Sequence, residues 1–297
     1  MEYRPFQRYE RGRAMNKIIG LITAWNAEIF IEPAIEQSVK FCDETLVTVA
    51  PHSDAMAKYK DDTLLKAGRL KEKYPQVKLF TEVEKSTHAN AKAFALNRMI
   101  GNSDLFEPGN WIWILDVDEF YLDHEIDQIK KLLFSGNYNS IETNEKYFYI
   151  NMKKYLKNTR PDRLRLIESD KNTFFHVNKW TGATNKRLKH EGEGVYHYGA
   201  LLNPYAKVDF WNTEYGIKKD KKVSWIPEVY LKYNLNDEHK WLGRNFEIFG
   251  VYNPFLTGDF KAQEDGTLFT YDGKHPDVIE ESGLTKYIED FRKLYKP

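Results

Sequence analysis

The sequence predicts an α/β protein: a doubly wound, mostly parallel sheet in front, followed by a mixed, partly antiparallel C-terminal half. Three observations predict it. Over the first 120 residues, short apolar runs alternate with segments of helical periodicity, the pattern of βαβ units. Those runs are apolar at every position rather than every second one, as strands covered on both faces are. After Asp118 the alternation stops and short aromatic segments take over.

In chain order, residues 1–16 are polar and Arg-rich, an arm ahead of the fold without the apolar core of a signal peptide. Residues 17–24 read as the first buried strand. Residues 28–40 form a helix, with Ile31, Ile35 and Val39 at helical spacing. A second strand covers 45–50. Asp54 caps a long polar helix that ends near Lys73, ahead of Pro75. Residues 77–81 are a third short strand. The helix at 87–100 lines up Ala89, Ala93, Leu96 and Ile100 on one face. Pro108-Gly109 turns the chain into a fourth strand at 111–115. Beyond it come a helix near 124–134, strands at 141–151, 164–168, 173–177 and 194–198, and helices near 237–250 and 283–295. The expected organisation is one compact unit with an arm (1–16), a front half (17–122) and a back half (123–297).

Composition narrows the function classes. At 41% hydrophobic and 30% charged residues, a sizeable core is expected and wholesale disorder is not. Lys+Arg and Asp+Glu both number 44, so no basic excess speaks for nucleic-acid binding. Cys42 is the only cysteine, which leaves no internal disulfide and no cysteine zinc site. It reads as a small packed apolar residue. No apolar run approaches the roughly 20 residues of a membrane span, so a soluble cytoplasmic protein is expected. The aromatic residues serve packing first and sugar stacking second.

The most informative stretch is Trp111-Ile-Trp-Ile-Leu-Asp116-Val-Asp118-Glu119-Phe120. A buried strand stops abruptly at two carboxylates spaced by one residue. The ends of such strands are where open α/β sheets place ligands. Hard oxygen donors of this kind suit Mg²⁺ or Mn²⁺, which bridge carboxylates to substrate phosphates. The plainer alternative is a pair of solvated loop carboxylates, one of them capping the next helix.

Thr23-Ala-Trp25-Asn26-Ala-Glu28 after the first strand, together with Leu115-Asp-Val-Asp-Glu-Phe120, resembles the family 2-type glycosyltransferases of the GT-A fold. Val195-Tyr-His197-Tyr-Gly199 and Gly273-Lys-His275-Pro276 are similar to segments of bacterial and viral members. The resemblance implies a GT-A-like fold, with 17–122 binding a nucleotide-sugar donor and 123–297 binding an acceptor. It implies that Asp116 contacts the ribose or a metal. Asp118 would ligate the metal that links the donor diphosphate, and His197 would be a further metal or diphosphate ligand. Thr23, Trp25 and Asn26 would line the nucleotide pocket. The family often places Arg-Asn on the helix at 87–100, and here the order is inverted in Ala95-Leu96-Asn97-Arg98. Lys92, Arg98 or His88 could still approach the diphosphate, with Lys186-Arg187 as further charge partners, and a solvated helix surface is the plainer alternative.

An inverting transferase also needs a base on the acceptor hydroxyl. The family carries it as a carboxylate in the back half. Glu191 and Glu193, in the Gly-flanked and hence mobile loop 189–194, are the candidates, with Glu145 and Glu214 as rivals. Trp180-Thr-Gly182 is a candidate acceptor wall, and His275 is a candidate to close over the site. His124 and His239 read as exposed helix residues. One departure concerns the nucleobase: where the family has a base-reading acid after the second strand, this chain has Val49-Ala50-Pro51-His52-Ser53-Asp54. His52 or backbone groups would read the base instead.

The expected function is therefore a metal-dependent glycosyltransferase. It would move a sugar from a nucleotide-diphosphate donor to a hydroxyl of a glycan, lipid-linked or protein-linked acceptor, with inversion. Two alternatives stand beside it: a phosphohydrolase using the Asp-x-Asp pair, and a non-catalytic nucleotide- or sugar-binding protein on the same fold.

Overall fold

The computed structural model describes residues 17–82, 88–102, 104–133, 135, 138–149, 151–167, 175–176, 179–180, 186–201, 205–206, 209, 232, 240, 243–244, 247 and 268–295. Strands β1 (Ile18–Ala24), β2 (Glu44–Val49), β3 (Val77–Phe80) and β4 (Trp111–Asp116) lie side by side in the order β3-β2-β1-β4, all parallel. Helices α1 (Ile31–Phe41), α2 (Asp54–Ala57), α3 (Thr63–Lys73) and α4 (His88–Gly101) fall between them. Alternate residues of the strands feed two cores. Ile19, Leu21, Leu46, Ile112 and Ile114 pack on α4 through Ala93, Leu96 and Met99. Ile18, Ile22, Val47, Trp111, Trp113 and Leu115 face the other way. They meet α1, α3 and the helix α5 (Asp123–Leu133) through Ile31, Ala67 and Ile126. Helices on both faces make the sheet doubly wound, and they explain why its strands are apolar at every position.

The same sheet continues as β4-β7-β6-β10-β5, with β5 (Glu119–Phe120), β6 (Ser140–Phe148), β7 (Lys154–Leu166) and β10 (Arg187–His197). Here the ladders are mixed. Strand β7 is antiparallel to β4 and β6, β10 is parallel to β6, and β5 is antiparallel to β10. Strand β11 (Phe269–Thr270) pairs with β7, while β8 (Phe175–His176) and β9 (Lys179–Trp180) form a separate hairpin. A short helix α6 (Asp277–Glu280) and a longer one, α7 (Leu284–Tyr295), follow towards the C-terminus. Trp113 pairs with Leu164, so the early residues of β7 run on past the carboxyl end of β4. The mixed strands thus extend over the crevice where ligands bind in open α/β sheets. The β6–β7 register shifts between Ile141 and Thr143, opposite the stretch holding Pro161, which has no N–H for the ladder.

Four local expectations change. The long helix expected from Asp54 to Lys73 is two helices, and Ser53 rather than Asp54 caps the first, its Oγ accepting from Met56 N at 3.3 Å. The break falls at Asp61, whose carboxylate accepts the backbone N–H groups of Thr63 and Glu28 at 3.0 Å each and so starts the second helix. Strand β7 is longer than expected, because its early residues are polar and gave no apolar signal. Residues 189–194 were expected as a mobile loop. They lie within β10, with a bulge between His190 and Val195. The physical reason is Glu125 of α5: its buried Oε2 accepts from Gly194 N at 3.2 Å and bonds His190 Nε2 at 2.8 Å, fastening the bulge.

The arm at 1–16, most of the helix expected near 237–250, Glu214, His239, Thr181-Gly182 and the side chains of His88 and Trp180 lie outside the described residues. Cys42 is buried, and burial pushes its thiol up to about 12, as suits a packed residue. No helix among the described residues is long and apolar enough to cross a membrane.

Candidate metal centre

Strand β4 ends at Asp116, in the same phase as Ile112 and Ile114 and therefore on the α4 side of the sheet. Lys92 of α4 is 5% exposed and its ammonium contacts the Asp116 carboxylate. In register beside Asp116 is Thr23 of β1, and beside that Thr48 of β2. Three polar residues thus line the carboxyl ends of three adjacent strands.

After the Val117-Asp118 turn, Phe120 enters the large core against Phe30 and Tyr198. Because neighbours in a strand point to opposite faces, Glu119 is turned to the α4 side. It pairs there with His197 of β10, which is also in register with Tyr147 of β6. A polar row crosses four adjacent strands: Asn158 on β7, Glu145 on β6, His197 on β10 and Glu119 on β5. Glu145 and Glu119 are each 1% exposed. Glu145 Oε1 bonds His197 Nδ1 at 2.6 Å, and its Oε2 accepts from Asn158 Nδ2 at 2.8 Å. The Tyr147 ring meets the imidazole edge-on at 4.6 Å. With the Nδ1 proton directed at Glu145, Nε2 faces Asp118, 3.5 Å from its Oδ1.

The chain closes on this point a second time. Tyr198 N donates to the Asp118 carbonyl at 2.9 Å. A Cβ at Gly199 would lie 2.2 Å from Asp118 Oδ2 and 2.8 Å from His197 Nε2. Glycine therefore leaves open a cradle onto which a carboxylate oxygen and an imidazole nitrogen converge. Donors bound to one divalent cation at about 2.0–2.2 Å stand roughly 3–3.5 Å apart, the spacing found here. Among the described residues, four carboxylates (Asp116, Asp118, Glu119 and Glu145) and two basic groups, Lys92 and His197, gather at this end of the sheet. Glu119, Glu145 and His197 also have ligand atoms within 4.8 Å of one another. But Nδ1 is engaged with Glu145, so Nε2 is the ring nitrogen that faces Asp118, and Glu145 stands behind the ring. Glu119, Glu145 and His197 form a group that could hold a metal ion.

Other residues singled out from the sequence are not all gathered here. Trp25 donates from Nε1 to the Met56 carbonyl at 2.8 Å and packs on the large core. Asn26, at a left-handed φ of 51°, donates to Asp61 at 3.3 Å. It lines a cleft of about 290 Å³ together with Glu28, Lys58, Lys60 and Tyr287. Arg187 begins β10, ten residues before His197, or about 30 Å along a strand. It lies 3.6 Å from Glu142. Glu191 is exposed, 3.6 Å from Lys189. Glu193 bonds Lys146 at 2.7 Å and the Tyr196 hydroxyl at 2.6 Å, on the opposite face of the sheet from His197. The Lys146 ammonium and the tyrosine hold its carboxyl below the usual range, which weakens it as a base. His275 is buried and its Nδ1 bonds the Tyr198 hydroxyl at 2.7 Å, so it anchors the Tyr198-Gly199 turn. Burial holds His52 at about 4, so it is neutral at physiological pH.

The sequence reading gave Glu145 only as a rival base and Glu119 no separate role. A signal for Glu145 was present. Ile141, Thr143, Glu145 and Tyr147 alternate with more exposed residues in β6, which sets Glu145 on the buried phase.

Sequence comparison finds no matching protein-family model and no matching curated protein. Among solved structures, the chain is similar to the crystal structure of 4-diphosphocytidyl-2C-methyl-D-erythritol synthase. The two are 14% identical with a TM-score of 0.33, over 52% of this chain and 76% of that one. A likeness this slight carries no functional argument.

Proposed function

We propose that the protein is a metal-dependent glycosyltransferase that transfers a sugar from a nucleotide-diphosphate donor to an acceptor hydroxyl, with inversion. The observation that carries this reading is the convergence of Asp118 Oδ2 and His197 Nε2 on Gly199 at the carboxyl end of β4. Asp118 and His197 would hold Mn²⁺ or Mg²⁺, which supplies positive charge for a departing nucleoside diphosphate. Asp116 and Thr23 sit beside one another to receive the ribose. Lys92 orients Asp116 through their ion pair, and its ammonium would serve as a charge partner for a donor phosphate. In this reading residues 17–122 bind the donor and 123–297 the glycan, lipid-linked or protein-linked acceptor. The acceptor's base would come from the back half, where Glu191 and Glu193 are the sequence candidates. For Glu193 the Lys146 pairing counts against the role.

The test is a screen of nucleotide sugars with Mn²⁺, scored by release of free nucleoside diphosphate, in wild type and Asp118→Ala. One donor class turned over only with metal, and lost in the variant, supports the proposal. Cleavage of a generic phosphate ester with no nucleotide sugar consumed would favour a phosphohydrolase and refute it.

A further inference from the structure

From the row across β7, β6, β10 and β5 we infer that Glu145 is a positioning residue for the metal site, set in place by Asn158, and not an acceptor base. This rests on the metal reading proposed above. Glu145 is wholly buried in the middle of a sheet, between strands that both pair with its own. Both of its oxygens are engaged, one by His197 Nδ1 at 2.6 Å and the other by Asn158 Nδ2 at 2.8 Å. A carboxylate so enclosed has no path to an acceptor hydroxyl. What it does is fix one proton on Nδ1, which leaves the Nε2 lone pair as the ligand and aims it at Asp118. Tyr147, edge-on at 4.6 Å, keeps the ring from turning about that bond. A negative carboxylate behind an imidazole also raises its basicity toward a cation. Asn158 has the complementary task. With one oxygen of Glu145 bonded to its amide, the other is presented to His197 in a single orientation.

The consequence is an ordered series in metal affinity. Loss of such an outer partner costs about 10–100-fold in affinity. Glu145→Ala frees the ring and its tautomer and should weaken Mn²⁺ binding by that factor. Glu145→Gln keeps an acceptor for Nδ1–H and loses only the charge, so it should recover part of the affinity. Asn158→Ala should lie nearer to wild type than either.

The experiment is titration of Mn²⁺ alone into the full chain, followed by the electron paramagnetic resonance of the bound ion, for wild type, these three variants, Asp118→Ala and Glu193→Ala. Melting temperature is recorded for each as the check on folding. The expected result is weakened binding and an altered spectrum in Glu145→Ala, partial rescue in Glu145→Gln and no change in Glu193→Ala. Folded Glu145→Ala or Glu145→Gln protein with wild-type affinity and spectrum would overturn the inference, even with Asp118→Ala losing the ion. Wild type that binds no Mn²⁺, or binds it equally in Asp118→Ala, would overturn the metal reading and this inference with it.

Discussion

Strand β10 carries two buried histidines, each bonded to a buried glutamate: His190 to Glu125 at 2.8 Å and His197 to Glu145 at 2.6 Å. Each histidine also lies against a glycine whose Cβ would strike it: at Gly192 it would meet His190 and Glu125, and at Gly199 it would meet His197 and Asp118. The surroundings differ. At His190 the carboxylate's other work is to hold the Gly194 N–H across a β-bulge, and the ring nitrogen nearest the glutamate is Nε2. At His197 the glutamate takes Nδ1, Nε2 is turned to Asp118, and Glu119 and the Lys92–Asp116 pair stand close by. A Glu–His pair is therefore not a metal site by itself. The second becomes a candidate because further carboxylates gather around it at the carboxyl end of β4, whereas the first is balanced and serves to fasten a strand to a helix.

Filling the two cradles should separate the two histidines most strongly. Gly199 is not among the positive-φ glycines, so alanine there suits the backbone, and its nearest conflicts are with Asp118 and His197. Gly199→Ala should lower Mn²⁺ affinity by about 100-fold or more, exceeding the loss of an outer partner, while the fold survives. Gly192→Ala should do the reverse, lowering the melting temperature with metal affinity intact. Calorimetric titration and a thermal melt on both variants read this out.

Removing Glu125 comes next in size. Glu125→Ala leaves His190 and the Gly194 N–H buried without their acceptor, at a cost of about 3 kcal/mol, seen in chemical denaturation. The cost should depend on pH. Burial pushes the Glu125 carboxyl up, but the Gly194 N–H, His190 and the Glu193 N–H more than offset that, and its pKa in the folded protein is lowered. A lowered carboxylate contributes stability above its unfolded pKa and loses it as pH falls through the folded value. The gap between wild type and Glu125→Ala should therefore be constant near neutrality and narrow below about pH 4. A gap that widened in acid would contradict the clamp.

Smaller effects are expected at Lys92 and Glu193. Lys92→Met removes the ammonium on Asp116 and should cost about 2 kcal/mol of stability, together with weaker nucleoside diphosphate binding by calorimetry. Glu193→Gln should leave Mn²⁺ affinity unchanged, since its carboxylate faces Lys146 and Tyr196 across the sheet.

The front half was legible because its signals are local. Fully apolar strands and helical spacing at Ile31, Ile35 and Ala93 each report on a neighbouring element. The position of Asp116 and Asp118 at the end of β4 was legible for the same reason, since an unbroken apolar run stops there. The back half was less so. Strand β7 is polar along much of its length, and β10 passes through Gly192 and Gly194, which read as loop until Glu125, 69 residues from Gly194, is seen to hold them. The partnership of Glu145 with His197 spans 52 residues and depends on β6 and β10 being adjacent and parallel, a pairing no local pattern announces. Trp25 and Asn26 were legible as a turn after β1. That their side chains go to Met56 and Asp61 rather than toward Asp116 follows from the break in the helix at Asp61.

The account turns on Asp118 and His197 holding a cation that in turn holds a nucleoside diphosphate. The most direct test is the melting temperature of wild type and Asp118→Ala across a panel of nucleoside diphosphates, with and without Mn²⁺, since a ligand of the folded state raises that temperature. The expected result is a rise for one base in wild type only when Mn²⁺ is present, and none in Asp118→Ala. A rise of equal size without metal, or one that persists in Asp118→Ala, would contradict it.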